Sequence, residues 1–162
     1  MIYAGIGCRQ TPPDILDIMH QIAQNLAAEN WTLRSGRAAG ADTAFEKGAL
    51  SILPAGPRPE LYPVGCPTPL WAHMMAQKYH PAWERCTHFA KLAHARNSLI
   101  VCGRSEPRQL VSHIICWTPG GQISGGTGQA LRIAQDLRIP VLNLAIPTHI
   151  PRALSLHTHQ EA

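Results

Sequence analysis

Three stretches of this chain set glycine beside polar or cationic residues in a pattern suited to holding a phosphate. The most complete is Ser124-Gly125-Gly126-Thr127-Gly128-Gln129-Ala130, which follows an apolar run over 110–117 and opens an amphipathic run ending near Leu137. A strand, a glycine loop and a helix N-terminus in that order suit an anion. Glycine lets the backbone approach, unpaired N–H groups point at the charge, and the helix dipole favours it. Gly5-Ile6-Gly7-Cys8-Arg9 and Ser35-Gly36-Arg37-Ala38-Ala39-Gly40-Ala41-Asp42 repeat the arrangement earlier in the chain. A tight strand-to-helix turn explains any one such loop; the recurrence is what favours a ligand.

The side chains around these loops define the possible chemistry. Arg96 shares a helical stripe with Leu92 and Leu99, so it points toward the sheet, where a buried guanidinium needs an anion such as a ligand phosphate or carboxylate. The alternative is an arginine whose stem covers apolar surface while its head reaches water. Asn97 either bonds a ribose or base or ties down a loop. Arg9 pairs with phosphate or lies on the surface. Ser35, Gly36, Arg37 and Gly40 line a pocket or only build a turn. Asp42 accepts from a ribose or serves as a helix N-terminal carboxylate. Thr127 gives its hydroxyl to phosphate or caps a helix, and Gln129 completes that loop. Cys8 is a thiol within the first loop, with reactivity as its less favoured reading. For catalysis the candidates are weak: Arg96, and Glu46 as a carboxylate.

These residues require elements to position them. Residues 1–6 read as a strand, and a helix follows from Thr11-Pro12-Pro13, with Ile15, Ile18, Met19, Ile22 and Leu26 at helical spacing and Asn30 as its stop. Residues 31–34 are the second strand. Thr43 and Glu46 have capping-box spacing and place a helix start there, with Phe45 and Ala49 on its buried face. Residues 54–59 form a proline-rich loop, and 60–64 a short strand. Thr68-Pro69 caps a helix carrying Leu70, His73, Met74 and Gln77 on one face, and residues 91–102 form another. The run 110–117 is a central parallel strand and 140–144 the last one. Five alternations of strand and helix call for an α/β domain over 1–146. Its sheet is doubly wound and parallel, in order 3-2-1-4-5, with helices on both faces and a tail over 147–162. The glycine loops then leave the carboxyl ends of strands, and the first and last flank the switch point where such sheets bind ligands.

A length of 162 residues with 45% hydrophobic content fits one folded domain. No run reaches the roughly 18 apolar residues of a membrane helix, and the start reads as a strand rather than a signal peptide, so the expected location is cytoplasmic with no membrane partner. Five cysteines, none in a C-x-x-C pair, speak against a zinc site or a disulfide framework, and no metal centre is expected. His157 and His159 could hold a metal, but a frayed polar end is the favoured reading. A net charge of +4 permits an anionic partner without demanding nucleic acid.

Together, Gly5-x-Gly7-x-Arg9, Ser35-Gly36-x-x-x-Gly40-x-Asp42, Ala95-Arg96-Asn97 and Gly125-Gly126-Thr127-Gly128 resemble the Rossmann-like nucleotide-binding group called SLOG. It joins the Smf/DprA (DNA-processing protein A) proteins with the "lonely guy" (LOG) phosphoribohydrolases. The resemblance spans about residues 1–145 and includes motif order. Residues 35–50, ending in Gly48-Ala49-Leu50, are most similar to the Smf/DprA pattern, and single-domain phage or bacterial relatives would fit the size. LOG enzymes resemble the chain at His94-x-Arg96 but carry Lys where Asn97 stands, and their loop continues to a glutamate. Here the matching positions are Gln129, Ala130, Leu131 and Arg132, without a carboxylate. The resemblance therefore implies capture of a phosphate-bearing nucleotide or nucleotide-derived signal, without catalysis or a required cofactor, in a homodimer or higher homo-oligomer. Two alternatives stay open: a DprA-like binder of single-stranded DNA, and a LOG-like nucleoside monophosphate phosphoribohydrolase.

Overall fold

A computed structural model describes residues 1–160, the side chains of 159 and 160 excepted. Strands β1 (Ile2–Gly7), β2 (Thr32–Ser35), β3 (Glu60–Leu61), β4 (His113–Trp117) and β5 (Val141–Asn143) form one sheet in the order β3-β2-β1-β4-β5. Every pairing is parallel, with Tyr3 opposite both Leu33 and His113. Helices α1 (Pro13–Ala28), α2 (Ala41–Leu50), α3 (Leu70–Tyr79), α4 (His88–Cys102), α5 (Gly125–Asp136) and α6 (His149–Leu154) pack around it. This is the expected doubly wound α/β architecture.

Strand periodicity sorts the core into two layers. Tyr3, Leu33, Ile115 and Leu142 face one way, onto Met19, Ile22 and Leu26 of α1 and Phe45 and Ala49 of α2. Ala4, Ile6, Ile114 and Cys116 face the other way, onto Leu99 and Ile100 of α4 and Ala130, Ile133 and Ala134 of α5. Small residues let the layers close. A Cβ on Gly5 would lie 2.5 Å from the Phe45 ring, and one on Gly48 would lie 2.2 Å from the His20 carbonyl of α1.

Several boundaries differ from expectation for physical reasons. Helix α2 starts at Ala41 after Gly40, whose φ of 90° few other residues tolerate. The capping box does not form: Thr43 Oγ1 donates to the Ala38 carbonyl at 2.9 Å, and Glu46 pairs with Arg37 at 3.2 Å. Pro63 limits β3 to two residues. Helix α4 begins near His88, a turn before Lys91, where Thr87 Oγ1 accepts from the Ala90 N–H at 3.2 Å. On α3 the inner face is Ala72 and Ala76, while Leu70 and Met74 are exposed.

The tail expected beyond Pro147 is a correction. Residues there form α6 and a final 3-10 turn, Leu156–Gln160, with Ala153 buried and Ile150, Leu154 and Leu156 packed on the α1 layer. His157 therefore sits in an ordered turn, and the His159 side chain lies outside the described residues. Cys102 and Cys116 are buried, and burial pushes their thiols up to about 11 and about 12, so neither is a ready nucleophile. No described helix is long and apolar enough to cross a membrane.

Candidate functional site

At the carboxyl edge of the sheet the loops after β1, β2 and β4 converge on a cavity of about 730 Å³, within the usual range for a small-molecule site. Gly7, Gly36 and Gly126 all line it, as the three glycine loops require. Gly7 also lets α2 approach, since a Cβ there would stand 2.6 Å from that of Ala41. Cys8 and Arg9 form the first wall, and the loop is tied to itself by Thr11 Oγ1 donating to the Cys8 carbonyl at 2.6 Å.

Arg96 enters from α4. Leu92 and Leu99 on the same stripe turn it inward, and its residue is only 8% exposed. The guanidinium lies where a Gly36 side chain would begin: Nη1 is 1.0 Å from the position of an added Cβ. Nη1 stands 3.6 Å from Asp42 Oδ2, an ion pair too long for a hydrogen bond, and neither Nε nor Nη1 has a hydrogen-bond partner. Asp42 thus supplies a nearby protein anion, but the donors at Nε and Nη1 remain unfilled. Burial lowers its pKa, with Asp42 acting against that shift.

Asp42 does not point a free carboxylate at a ribose. Its Oδ2 accepts from the backbone N–H of Gly36 at 3.1 Å and of Ala38 at 3.3 Å, which fastens the second loop. Burial pushes its carboxyl above the ordinary range, while Arg96 and the N–H groups of Ala38, Gly36 and Gly7 pull it down.

The far wall is the start of α5. Ser124 is the N-cap residue but makes no side-chain cap, so the first N–H groups of the helix are not satisfied by a side chain. Nothing lies within 4 Å of a Cβ built on Gly125 or Gly126, and Gly125 has a φ of +64°. The backbone there is bare and faces open space, with Thr127 beside it. Asn97 Nδ2 donates to the Gly126 carbonyl at 3.1 Å, joining α4 to this turn. That bond is the loop-fastening role, and Asn97 also lines the cavity.

Other expected site residues serve the scaffold. Gly5 is buried under Phe45; Ser35 Oγ donates to the Gly5 carbonyl at 2.6 Å; a Cβ on Gly40 would stand 3.2 Å from the Cys8–Arg9 backbone. Gly128 is pressed against Ile123, and Gln129 is fully buried with both amide atoms unpartnered. None of these five lines the cavity, whereas Arg37 does. Glu46 is also outside it, held by Arg37, so Asp42 is the carboxylate among the lining residues. Among the lining residues missed from sequence are Phe89 and Ala93, while His94 entered only through the LOG resemblance. Phe89, Ala93, Arg96 and Asn97 fall at i, i+4, i+7 and i+8, one face of α4, a signal hidden by starting that helix at Lys91.

The cavity thus gathers Arg9, Arg37 and Arg96, an uncapped helix start, one carboxyl group and an exposed aromatic ring at Phe89. Such a set binds anions and offers a flat apolar surface, but supplies little acid–base apparatus for breaking a glycosidic bond. Comparison with protein-family models, curated proteins and solved structures finds no match for the chain.

Proposed function

We propose that the protein captures a phosphate-bearing nucleotide, or a signal derived from one, in this cavity and does so without chemical turnover. The observation that carries the reading is the Arg96 guanidinium. It is buried, aimed at the cavity, and lacks hydrogen-bond partners at Nε and Nη1, across from the bare N-terminus of α5. A phosphate at this edge would accept from the helix start and from the guanidinium, whose Nε and Nη1, now turned onto Gly36, would find a partner once the side chain swings toward the cavity. Arg9 and Arg37 at the mouth add attraction, and Phe89 offers a face for a base. The resemblance to SLOG proteins supports the same ligand class. The missing loop glutamate and the remoteness of Glu46 favour binding over phosphoribohydrolase activity.

The test is mass spectrometry of any nucleotide that co-purifies, then calorimetric titration of that nucleotide into wild type and Arg96→Met. Losing a partly desolvated arginine–phosphate contact costs about 2 to 5 kcal/mol, roughly thirtyfold to several-thousandfold in affinity. Unchanged affinity in Arg96→Met would overturn the reading. Release of base by wild type on incubation with nucleoside monophosphates would replace it with the hydrolase.

A further inference from the structure

Beside the cavity, and independent of what it holds, three metal-ligating side chains meet. His80 follows α3, Cys86 closes the 3-10 turn Trp83–Arg85, and His94 projects from α4. Their ligand atoms all lie within 4.8 Å of one another. Cys86 Sγ stands 3.6 Å from each ring nitrogen of His80, and the two imidazole centroids are 4.4 Å apart. Zinc bonds of about 2.0 Å to nitrogen and 2.3 Å to sulfur imply tetrahedral edges of about 3.5 Å, so small side-chain rotations suffice.

We propose that His80, Cys86 and His94 form a binding site for a divalent d-block ion of the zinc class at the wall of the cavity. Two imidazoles and one thiolate are a donor set suited to Zn²⁺, and wide sequence spacing is no obstacle once the fold joins them. His94 is 8% exposed and its Nδ1 is buried without a hydrogen-bond partner, an orphan that metal ligation or a second-shell bond would satisfy. Arg132 and Arg96 set positive charge nearby, which the thiolate must offset. His80 Nδ1 now accepts from the Ala82 N–H at 3.1 Å, and ligation by His80 exchanges that bond for a metal bond. Three protein ligands leave one position, the composition of open zinc sites rather than closed structural ones. Since His94 also lines the cavity, that position belongs to its rim.

The probe is Co²⁺ added to the fully reduced full-length protein. The expected result is one equivalent bound, with thiolate-to-cobalt charge transfer and tetrahedral ligand-field absorption, both displaced by Zn²⁺. Cys86→Ser should abolish the charge-transfer band. Even outer-shell partners are worth ten- to a hundredfold in metal affinity, so His94→Gln should weaken binding by at least about tenfold. Because His80 and Cys86 are only half-buried, His80→Asn and Cys86→Ser open no core, and thermal melts with and without Zn²⁺ give a second readout. Zinc should raise the melting temperature of wild type and not of either variant. Absence of stoichiometric Co²⁺ binding would overturn the proposal, as would a charge-transfer band that survives Cys86→Ser and disappears in Cys66→Ser or Cys8→Ser.

Discussion

A methyl group on Gly36 would place carbon 1.0 Å from Arg96 Nη1 and 2.8 Å from Asp42 Oδ2, so Gly36→Ala and the guanidinium cannot share the site. The arginine is the flexible member and will be expelled, while the backbone at Gly36 needs no special dihedral. Gly36→Ala should therefore weaken the proposed nucleotide binding about as much as Arg96→Met, some thirtyfold or more, in calorimetric titration. A variant that binds like wild type would show that the guanidinium plays no part. A second test uses Asp42. Removing Arg96 leaves a buried carboxyl with only backbone donors, so Arg96→Met should lower stability. Arg96→Met with Asp42→Asn should recover part of that loss while still failing to bind. Chemical denaturation of the single and double variants checks it. Arg96 was legible in sequence as a charge on an apolar stripe. Which carboxylate stands beside it, Asp42 or Glu46, was not, because strand order does not say how far each side chain of α2 reaches toward α4.

Helix α6 shows what a sequence hides when its amphipathic signal is short. His149–Leu154 has too few residues for periodicity to stand out, yet Ile150, Ala153 and Leu154 close the α1 layer. Ending the chain after Pro147 would uncover that layer. At roughly 1.5 to 3 kcal/mol for each fully buried aliphatic side chain, less for partly buried ones, the expected loss is on the order of 3 kcal/mol. A tail would give none, and urea unfolding of the shortened chain decides. The same helix acts on β4. Burial, and then Arg152, hold the His113 imidazole below its ordinary range. The unfolded chain then binds the proton more readily, so this contribution to stability is complete above about pH 6.5 and is lost as pH falls through the lowered value. His113→Gln should flatten the acid limb of stability against pH, measured as urea midpoints at pH 8 and pH 5. Longer elements were easier to read. Ile15, Met19, Ile22 and Leu26 announce α1, and the apolar run to Trp117 announces a strand covered on both faces.

For the molecule as a whole, the alternation of strands and helices was enough to order the sheet, because right-handed crossovers leave few arrangements of five parallel strands. The same alternation brought the three glycine loops to one edge. It could not assign each residue within them, since packing glycines such as Gly5 and pocket glycines such as Gly126 look alike until neighbours are known. Charge belongs to this scale too. The net +4 is modest, and three arginines around one cavity make a point of attraction rather than a groove. Single-stranded DNA should therefore bind weakly at physiological salt. A salt slope near 0.7 log units per phosphate, summing to five or more phosphates with tight binding, would argue for a DNA-binding role instead.

Arg96 belongs to the α4 layer, whereas Gly36 and Asp42, over and beside which it lies, belong to the loop and helix of the α2 layer. The sheet ends at that edge, so the guanidinium works there as an unfinished rivet between two plates. An anion seated on it would complete the rivet, and the plates would no longer open independently. Amide hydrogen exchange should then slow together in α2 and α5 on saturation with ligand, although these helices lie on opposite faces of the sheet.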